Sequence, residues 1–164
     1  MRITAIILLL TQGAATAALA QASAAADGAS ARQSRMAESF ARSYLRTWSA
    51  SNRVALAGSP DFYGEAVRFH GRDLSGSSLI AHKRRFVQRW PVRQYRHRPG
   101  TLRAVCDGQQ SCRVQSLFDF TAVSPRRGAS SKGVGALELN VSFRGARPVI
   151  VSEESRVIRR VRGG

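Results

Sequence analysis

The densest group of side chains that could bind a ligand lies between residues 83 and 98. Seven basic residues fall in this stretch: Lys83, Arg84, Arg85, Arg89, Arg93, Arg96 and Arg98. Phe86, Trp90 and Tyr95 are interleaved with them, and no acidic residue occurs between Asp73 and Asp107. Arginine beside aromatic rings suits a phosphate- or sulfate-bearing polymer, which it binds by bidentate hydrogen bonds and stacking. The alternative is a solvated helix face followed by one exposed strand face, with the aromatic rings in the core.

Aromatic residues could also line a pocket for a small molecule. The candidates are Tyr63, Phe69, Trp90, Tyr95, Phe118 and Phe120. Such pockets are mostly apolar and carry a few polar groups. Asp119 lies between two of these rings, so it is a surface charge if the rings face inward and a candidate buried base if they face outward. Glu138 lies between two leucines and leaves the same choice open.

The other titratable residues give weaker signals. His70 and His97 could face a cavity as acid–base candidates or pair locally, and we expect His82, among basic neighbours, to be exposed. No two histidines have the spacing of metal ligands on a helix, so the sequence predicts no metal site and no other cofactor. The adjacent acids Glu153 and Glu154 precede several arginines and are predicted to form surface ion pairs.

The only two cysteines, Cys106 and Cys112, are separated by five residues that include Asp107-Gly108, a turn signal. Facing positions of a hairpin bring two cysteines into bridging range. In an oxidising compartment such a pair predicts a structural disulfide.

The N-terminus predicts export. Arg2 precedes an apolar run, and Ala18-Leu19-Ala20 forms a small-residue cleavage site before Gln21. This pattern is typical of a secretory signal peptide over residues 1–20 and of a periplasmic or secreted mature protein. Ala22-Ser23-Ala24 is a second candidate cleavage site, and a retained membrane anchor is the alternative. The net charge of the chain, +16 at pH 7, favours anionic partners such as acidic polymers or lipid head groups.

The elements that must position these residues follow from periodicity. Residues 21–34 are small and polar and predict a flexible segment. One domain follows over 35–160, and residues 161–164 are expected to fray. Apolar spacing predicts a helix from Arg35 to Trp48, a short helix at 54–56 and a helix from Leu79 to Trp90. Strands are predicted at 66–71, 92–98, 102–106, 112–123, 135–143 and 148–160. Helices followed by a run of strands indicate an α+β fold, with a curved antiparallel sheet closing a cone around a helix.

This order resembles the nuclear-transport-factor-2-like fold, whose members include polyketide-cyclase-like and steroid-isomerase-like families. The resemblance is carried by Tyr44 to Trp48, by Phe62-Tyr63 and by the passage from Lys83 to Pro91. The segment from that passage through the two cysteines also resembles a domain of secreted alphaproteobacterial proteins, which sometimes follows a caspase-like peptidase. The resemblance implies a cone-shaped domain, and it leaves the activity open because one fold hosts many functions.

The sequence therefore leaves two functions open. The first is a non-catalytic secreted domain that binds a partner protein or an anionic envelope component, as a monomer or a homodimer, without specific nucleic-acid binding. The second is a small-pocket enzyme of the isomerase or dehydratase type, which requires a desolvated carboxylate or histidine facing an apolar cavity.

Overall fold

The computed structural model describes residues 13–161, with side chains described from residue 25 onward. In this range the helices are α1 (Gly13–Ser49), α2 (Asn52–Gly58) and α3 (Gly76–Arg89), with single 3₁₀ turns at Ser59–Asp61 and Pro125–Arg127. The strands are β1 (Tyr63–Phe69), β2 (Arg72–Ser75), β3 (Val92–His97), β4 (Arg103–Cys106), β5 (Ser111–Ser124), β6 (Ala129–Ser142) and β7 (Val149–Val161). Most of the predicted signal peptide and the tail after Val161 lie outside the described residues.

All seven strands form one sheet, in the order β2-β1-β7-β6-β5-β3, with β4 also paired to β5. Every neighbouring pair is antiparallel except β1 and β7, which run parallel. The helices pack on this sheet as a separate layer, and the predicted α+β cone is confirmed. The parallel pair makes the sheet mixed rather than wholly antiparallel, because the chain returns after β6 to place β7 beside its first strand.

Helix α1 extends further toward the N-terminus than the periodicity predicts. It includes residues 21–34, for which composition predicted a flexible segment. The described side chains of this extension are mostly exposed, and the first buried residue is Ala37. From there Ala41, Tyr44, Leu45 and Trp48 recur at three- and four-residue spacing and bury one face of the helix. No helix in the described part of the chain is long and apolar enough to cross a membrane.

A β-bulge in β7 decides which of its side chains face the core. Val141 pairs with Ile150 and Asn140 pairs with Ser152, so Val151 is an extra residue with no partner on β6. The extra residue shifts the alternation by one position. As a result Ile150 and Glu153 both lie on the buried face, whereas strict alternation would place them on opposite faces.

Arg93 joins the ends of two helices to the sheet. Its side chain is only 4% exposed. Its guanidinium donates to the carbonyl oxygens of Trp48, Ala50 and Trp90 and to the side chain of Asn52. These carbonyls lie in or just after the last turns of α1 and α3, where helical acceptors lack intrahelical donors. Its assignment to an anion-binding surface was therefore wrong, because all its described hydrogen bonds are made within the protein.

The predicted disulfide is formed between Cys106 and Cys112, which are directly opposite each other in the β4–β5 hairpin. Asp107 organises the connecting loop, since its carboxylate accepts hydrogen bonds from the backbone N–H groups of Gln109 and Ser111. These two hydrogen bonds lower the pKa of Asp107 below its usual value.

Replacing Arg93 should destabilise the fold. Arg93→Met removes the donors of several buried carbonyls, so we expect the free energy of unfolding to fall by about 3 kcal/mol. Urea denaturation followed by circular dichroism measures this loss. Arg96→Met is the matched control, because Arg96 is exposed on the same strand, and its replacement should cost less than about 0.5 kcal/mol. Equal losses for the two variants would contradict the role given to Arg93.

Candidate functional site: a polar cluster at the floor of an apolar cavity

An inner cavity of about 190 Å³ lies between α1, α3 and the buried face of the sheet. Its walls are mostly apolar and are formed by Leu45, Trp48, Phe69, Phe86, Tyr95, Phe118 and Leu137. Tyr44, Lys83 and Glu153 add polar groups to this lining. An apolar cavity with a few converging polar groups is the usual form of a small-molecule site.

A buried ion pair is the centre of these polar groups. The Lys83 ammonium lies 2.6 Å from Oε1 of Glu153. Both residues are buried, with 8% of Lys83 and 2% of Glu153 exposed. The ammonium also lies 4.8 Å from the ring centre of Phe69 and 5.0 Å from that of Trp48, within the range of cation–π attraction. The ring faces and the carboxylate thus stabilise a charge that is withdrawn from water.

Two tyrosines complete the cluster, and their protons can be assigned. The Tyr63 hydroxyl donates to Oε2 of Glu153 over 2.7 Å, and Lys83 donates to the Tyr44 hydroxyl over 3.1 Å. The two hydroxyls are 3.1 Å apart. Because a tyrosine has a single proton and that of Tyr63 is committed to Glu153, Tyr44 must donate to Tyr63. The four side chains therefore form a closed hydrogen-bonded ring.

The environment keeps both phenols protonated. Burial raises the pKa of Tyr44 and of Tyr63 well above its usual value, and the charge of Glu153 raises both further. Burial also raises the pKa of Tyr95, on the cavity wall, to about 12. At neutral pH all three are neutral phenols that can donate a hydrogen bond.

Two donors of buried residues next to the cavity are not used within the described residues. Trp48 is 4% exposed, and its indole N–H is buried without a hydrogen-bond acceptor in the described part of the chain. Lys83 carries three protons and donates two of them, to Glu153 and Tyr44. Leaving a buried donor unpaired is costly, so each of these N–H groups would be stabilised by an accepting atom that came within reach of it.

Lys83 and Glu153 are both buried, although the sequence predicts them on the surface. Lys83 follows the pattern of its basic neighbours, but it lies four residues after Leu79 and four before Val87, on the buried face of α3. That spacing was a usable signal. Glu153 was predicted to form surface pairs, and it is buried because of the bulge at Val151.

The two carboxylates named as candidate bases face away from the cavity. Asp119 is exposed and lies 3.5 Å from Arg98, while Phe118 and Phe120 on either side of it are buried. Glu138 accepts a hydrogen bond from Gln115 and lies 3.7 Å from Arg113 on the outer face of the sheet. The alternation left both orientations open, and the structure adopts the one in which Asp119 and Glu138 are surface charges.

The histidines differ in their surroundings. His97 is held by Ser116 on one ring nitrogen and by the carbonyl of Ala41 on the other, so it fastens α1 to the sheet. Burial lowers its pKa, which keeps it neutral at pH 7. His70 and His82 line the inner cavity, and His70 lies 3.9 Å from the exposed Glu154. Partial burial and the nearby Arg85 lower the pKa of His82.

The other predicted site residues fall into two groups. Phe69, Tyr95 and Phe118 line the inner cavity. Trp90 and Phe120 do not line it and lie in a neighbouring cavity. Tyr63 does not line the inner cavity either and contacts Glu153 through its hydrogen bond. The basic residues that remain exposed are Arg84, Arg85, Arg89, Arg96 and Arg98. Within residues 13–161, no three His, Cys, Asp or Glu side chains come together as a group that could hold a metal ion.

Comparisons with solved structures show the fold. The chain is similar to Bd1075 of Bdellovibrio bacteriovorus, with a TM-score of 0.58 and 14% identity over 76% of this chain and 41% of that one. It spans less than half of the length of Bd1075. It is also similar to a protein with a cystatin-like fold from Caulobacter vibrioides, with a TM-score of 0.59 and 12% identity over 74% of this chain and 86% of that one.

A third similar structure is a SnoaL-like polyketide cyclase from Agrobacterium tumefaciens, with a TM-score of 0.50 and 18% identity over 73% of this chain and 89% of that one. No family model matches the sequence, and no curated protein matches it either. The element order and these likenesses show an α+β cone fold, the fold that the sequence resemblance implied.

The ion pair should be strongly coupled in stability. Lys83→Met and Glu153→Gln each leave one buried partner uncompensated, so we expect each to cost about 3–5 kcal/mol of unfolding free energy. The double variant should cost clearly less than the two single losses combined, because no unpaired charge remains. Urea denaturation of the four proteins measures the coupling, and exposed Glu154→Gln is the control. Additive losses would mean that the two side chains do not stabilise each other.

Proposed function

We propose that this chain is a small-molecule-binding domain whose inner cavity takes an apolar ligand with an accepting oxygen at one end. The observation that carries the proposal is the pair of unused donors, Trp48 N–H and the third proton of Lys83, beside mostly apolar walls. A carbonyl or ether oxygen would satisfy both donors, while the body of the ligand would displace water from aromatic and aliphatic surface.

Two environment-sensitive fluorophores test this function. N-phenyl-1-naphthylamine is apolar and has no oxygen, and 6-propionyl-2-dimethylaminonaphthalene carries a ketone. Both should bind. Ser155→Phe, which adds a ring to the cavity lining, should weaken the binding of both fluorophores by roughly tenfold, or 1.4 kcal/mol. Ser142→Phe is the control, because Ser142 pairs with Val149 at the end of β6 and does not line the inner cavity.

The hydrogen bond to Trp48 is tested separately. Trp48→Phe should weaken the binding of the ketone fluorophore by about fivefold, the net contribution of roughly one hydrogen bond. The affinity for the oxygen-free amine should stay nearly unchanged. Fluorescence titration gives both affinities for each variant. If neither fluorophore binds to the wild-type chain, the proposal is contradicted.

Glu153 supports a second candidate function, an enzyme that moves a proton on carbon. Its carboxylate is buried beside the cavity, as the isomerase-type hypothesis requires. A C–H bond next to a bound ketone would break, its proton passing to a Glu153 oxygen and its electron pair forming an enolate. The enolate oxygen would accept hydrogen bonds from Lys83 and Trp48. In a ketone whose α-carbon also carries a carbon–carbon double bond, the electron pair spreads into a dienolate. Return of the proton to the far carbon of that double bond then shifts the double bond and completes an isomerisation.

Deuterium exchange distinguishes binding from this chemistry. In D₂O, the enzyme would introduce deuterium next to the carbonyl of the bound ketone fluorophore, which mass spectrometry detects. Glu153→Gln should abolish the exchange, and Glu154→Gln should retain it. Binding of the ketone without exchange above the buffer rate would leave the binding function alone.

The other expectations from the sequence stay predictions. Binding to an acidic polymer or a partner protein is supported by the exposed arginines at positions 84, 85, 89, 96 and 98. The resemblance to a domain that follows caspase-like peptidases suggests one class of partner. Export after cleavage near Gln21 is supported by the disulfide, which persists in oxidising compartments.

A further inference from the structure

A second, outer cavity of about 540 Å³ adjoins the first. The two share Phe86, Tyr95, Phe118 and Ser155 in their linings, so the outer cavity continues the inner one toward the end of β7. Trp90 and Phe120 add further aromatic surface to it. Its walls can therefore hold a flat ring system that reaches inward to the polar cluster.

The outer cavity is positively charged on one side. Arg156 and Arg160 of β7 line it, and a third guanidinium, that of Arg127, lies 5.6 Å from the ring centre of Trp90. No acidic residue is among the described residues that line this cavity.

The nearest acids along β7 do not neutralise these arginines. Glu153 forms its ion pair with Lys83. Glu154 is exposed near His70 and lines a separate groove on the outer face of the sheet. Arg156 also lines that groove, whereas Arg160 lines only the outer cavity among the cavities described above. Arg160 is therefore the clearest candidate for a contact with bound ligand.

We propose that the ligand of this site is a planar apolar acid, with its rings between the aromatic walls and its single anionic group at Arg160. The proposal rests on the binding function of the inner cavity and names the chemical class of its ligand. A carboxylate, sulfonate or phosphate can accept two parallel hydrogen bonds from one guanidinium, which fixes the direction in which the rings enter. The net charge of +16 also attracts anions to the protein.

A matched pair of probes tests the anionic group. 8-Anilinonaphthalene-1-sulfonate has the rings of N-phenyl-1-naphthylamine and one added sulfonate. The wild-type chain should bind the sulfonate about tenfold more tightly than the neutral amine. Arg160→Gln should weaken binding of the sulfonate severalfold and leave the affinity for the amine within twofold. Raising the salt concentration should weaken only the sulfonate.

The control variant separates a site from general charge. Arg113→Gln removes the same charge from the outer face of the sheet, where Arg113 lies near Glu138, and should leave both affinities unchanged. Arg160 is exposed, so its variant should keep the wild-type urea midpoint. An unchanged midpoint excludes sulfonate binding to a loosened core.

The outcomes distinguish this inference from the function on which it rests. If the neutral amine binds but the sulfonate binds no better, or responds equally to Arg113→Gln, the anionic site is overturned and the binding function stands. If neither probe binds the wild-type chain, both proposals are overturned.

Discussion

The structure depends most on one buried charge pair, Lys83 with Glu153. Neither charge is stable in this apolar interior alone, so the helix that carries Lys83 and the strand that carries Glu153 must meet in a fixed position. The two tyrosines tie α1 and β1 to the same point. Four elements from distant parts of the sequence thus converge on four side chains, and the cavity exists in the space that their convergence leaves beside the aromatic walls.

The interior of this cone contains two kinds of buried polar side chain. Arg93 and His97 satisfy carbonyl groups at the junction between the helices and the sheet, and their polar atoms are used within the protein. Lys83 and Trp48 differ, because each retains a donor after its contacts in the described residues are made. Residual hydrogen-bonding capacity, rather than burial or charge alone, separates the candidate binding groups from those that hold the fold together.

Much of the architecture could be predicted from the sequence, because helices α1 and α3 and the long strands have clear periodicity. The parallel pairing of β1 with β7 could not, since it joins segments far apart in the chain and leaves no local pattern. Lys83 looked like its basic neighbours, although its helical phase marked it as buried. Glu153 carried no such mark, because its inward direction depends on the extra residue Val151, and a bulge is not visible in an alternating pattern.

The pairing of the first and last strands also has a consequence for folding order. Tyr63 and Glu153 are 90 residues apart, and Lys83 and Glu153 are 70 residues apart. Such contacts require closure of long loops and form late compared with local helices and hairpins. While the chain is being synthesised, Lys83 and both tyrosines emerge from the ribosome long before their carboxylate partner. A nascent chain therefore has no assembled cavity until β7 docks, and a chaperone that holds earlier segments would shield aromatic surface that later becomes the cavity wall.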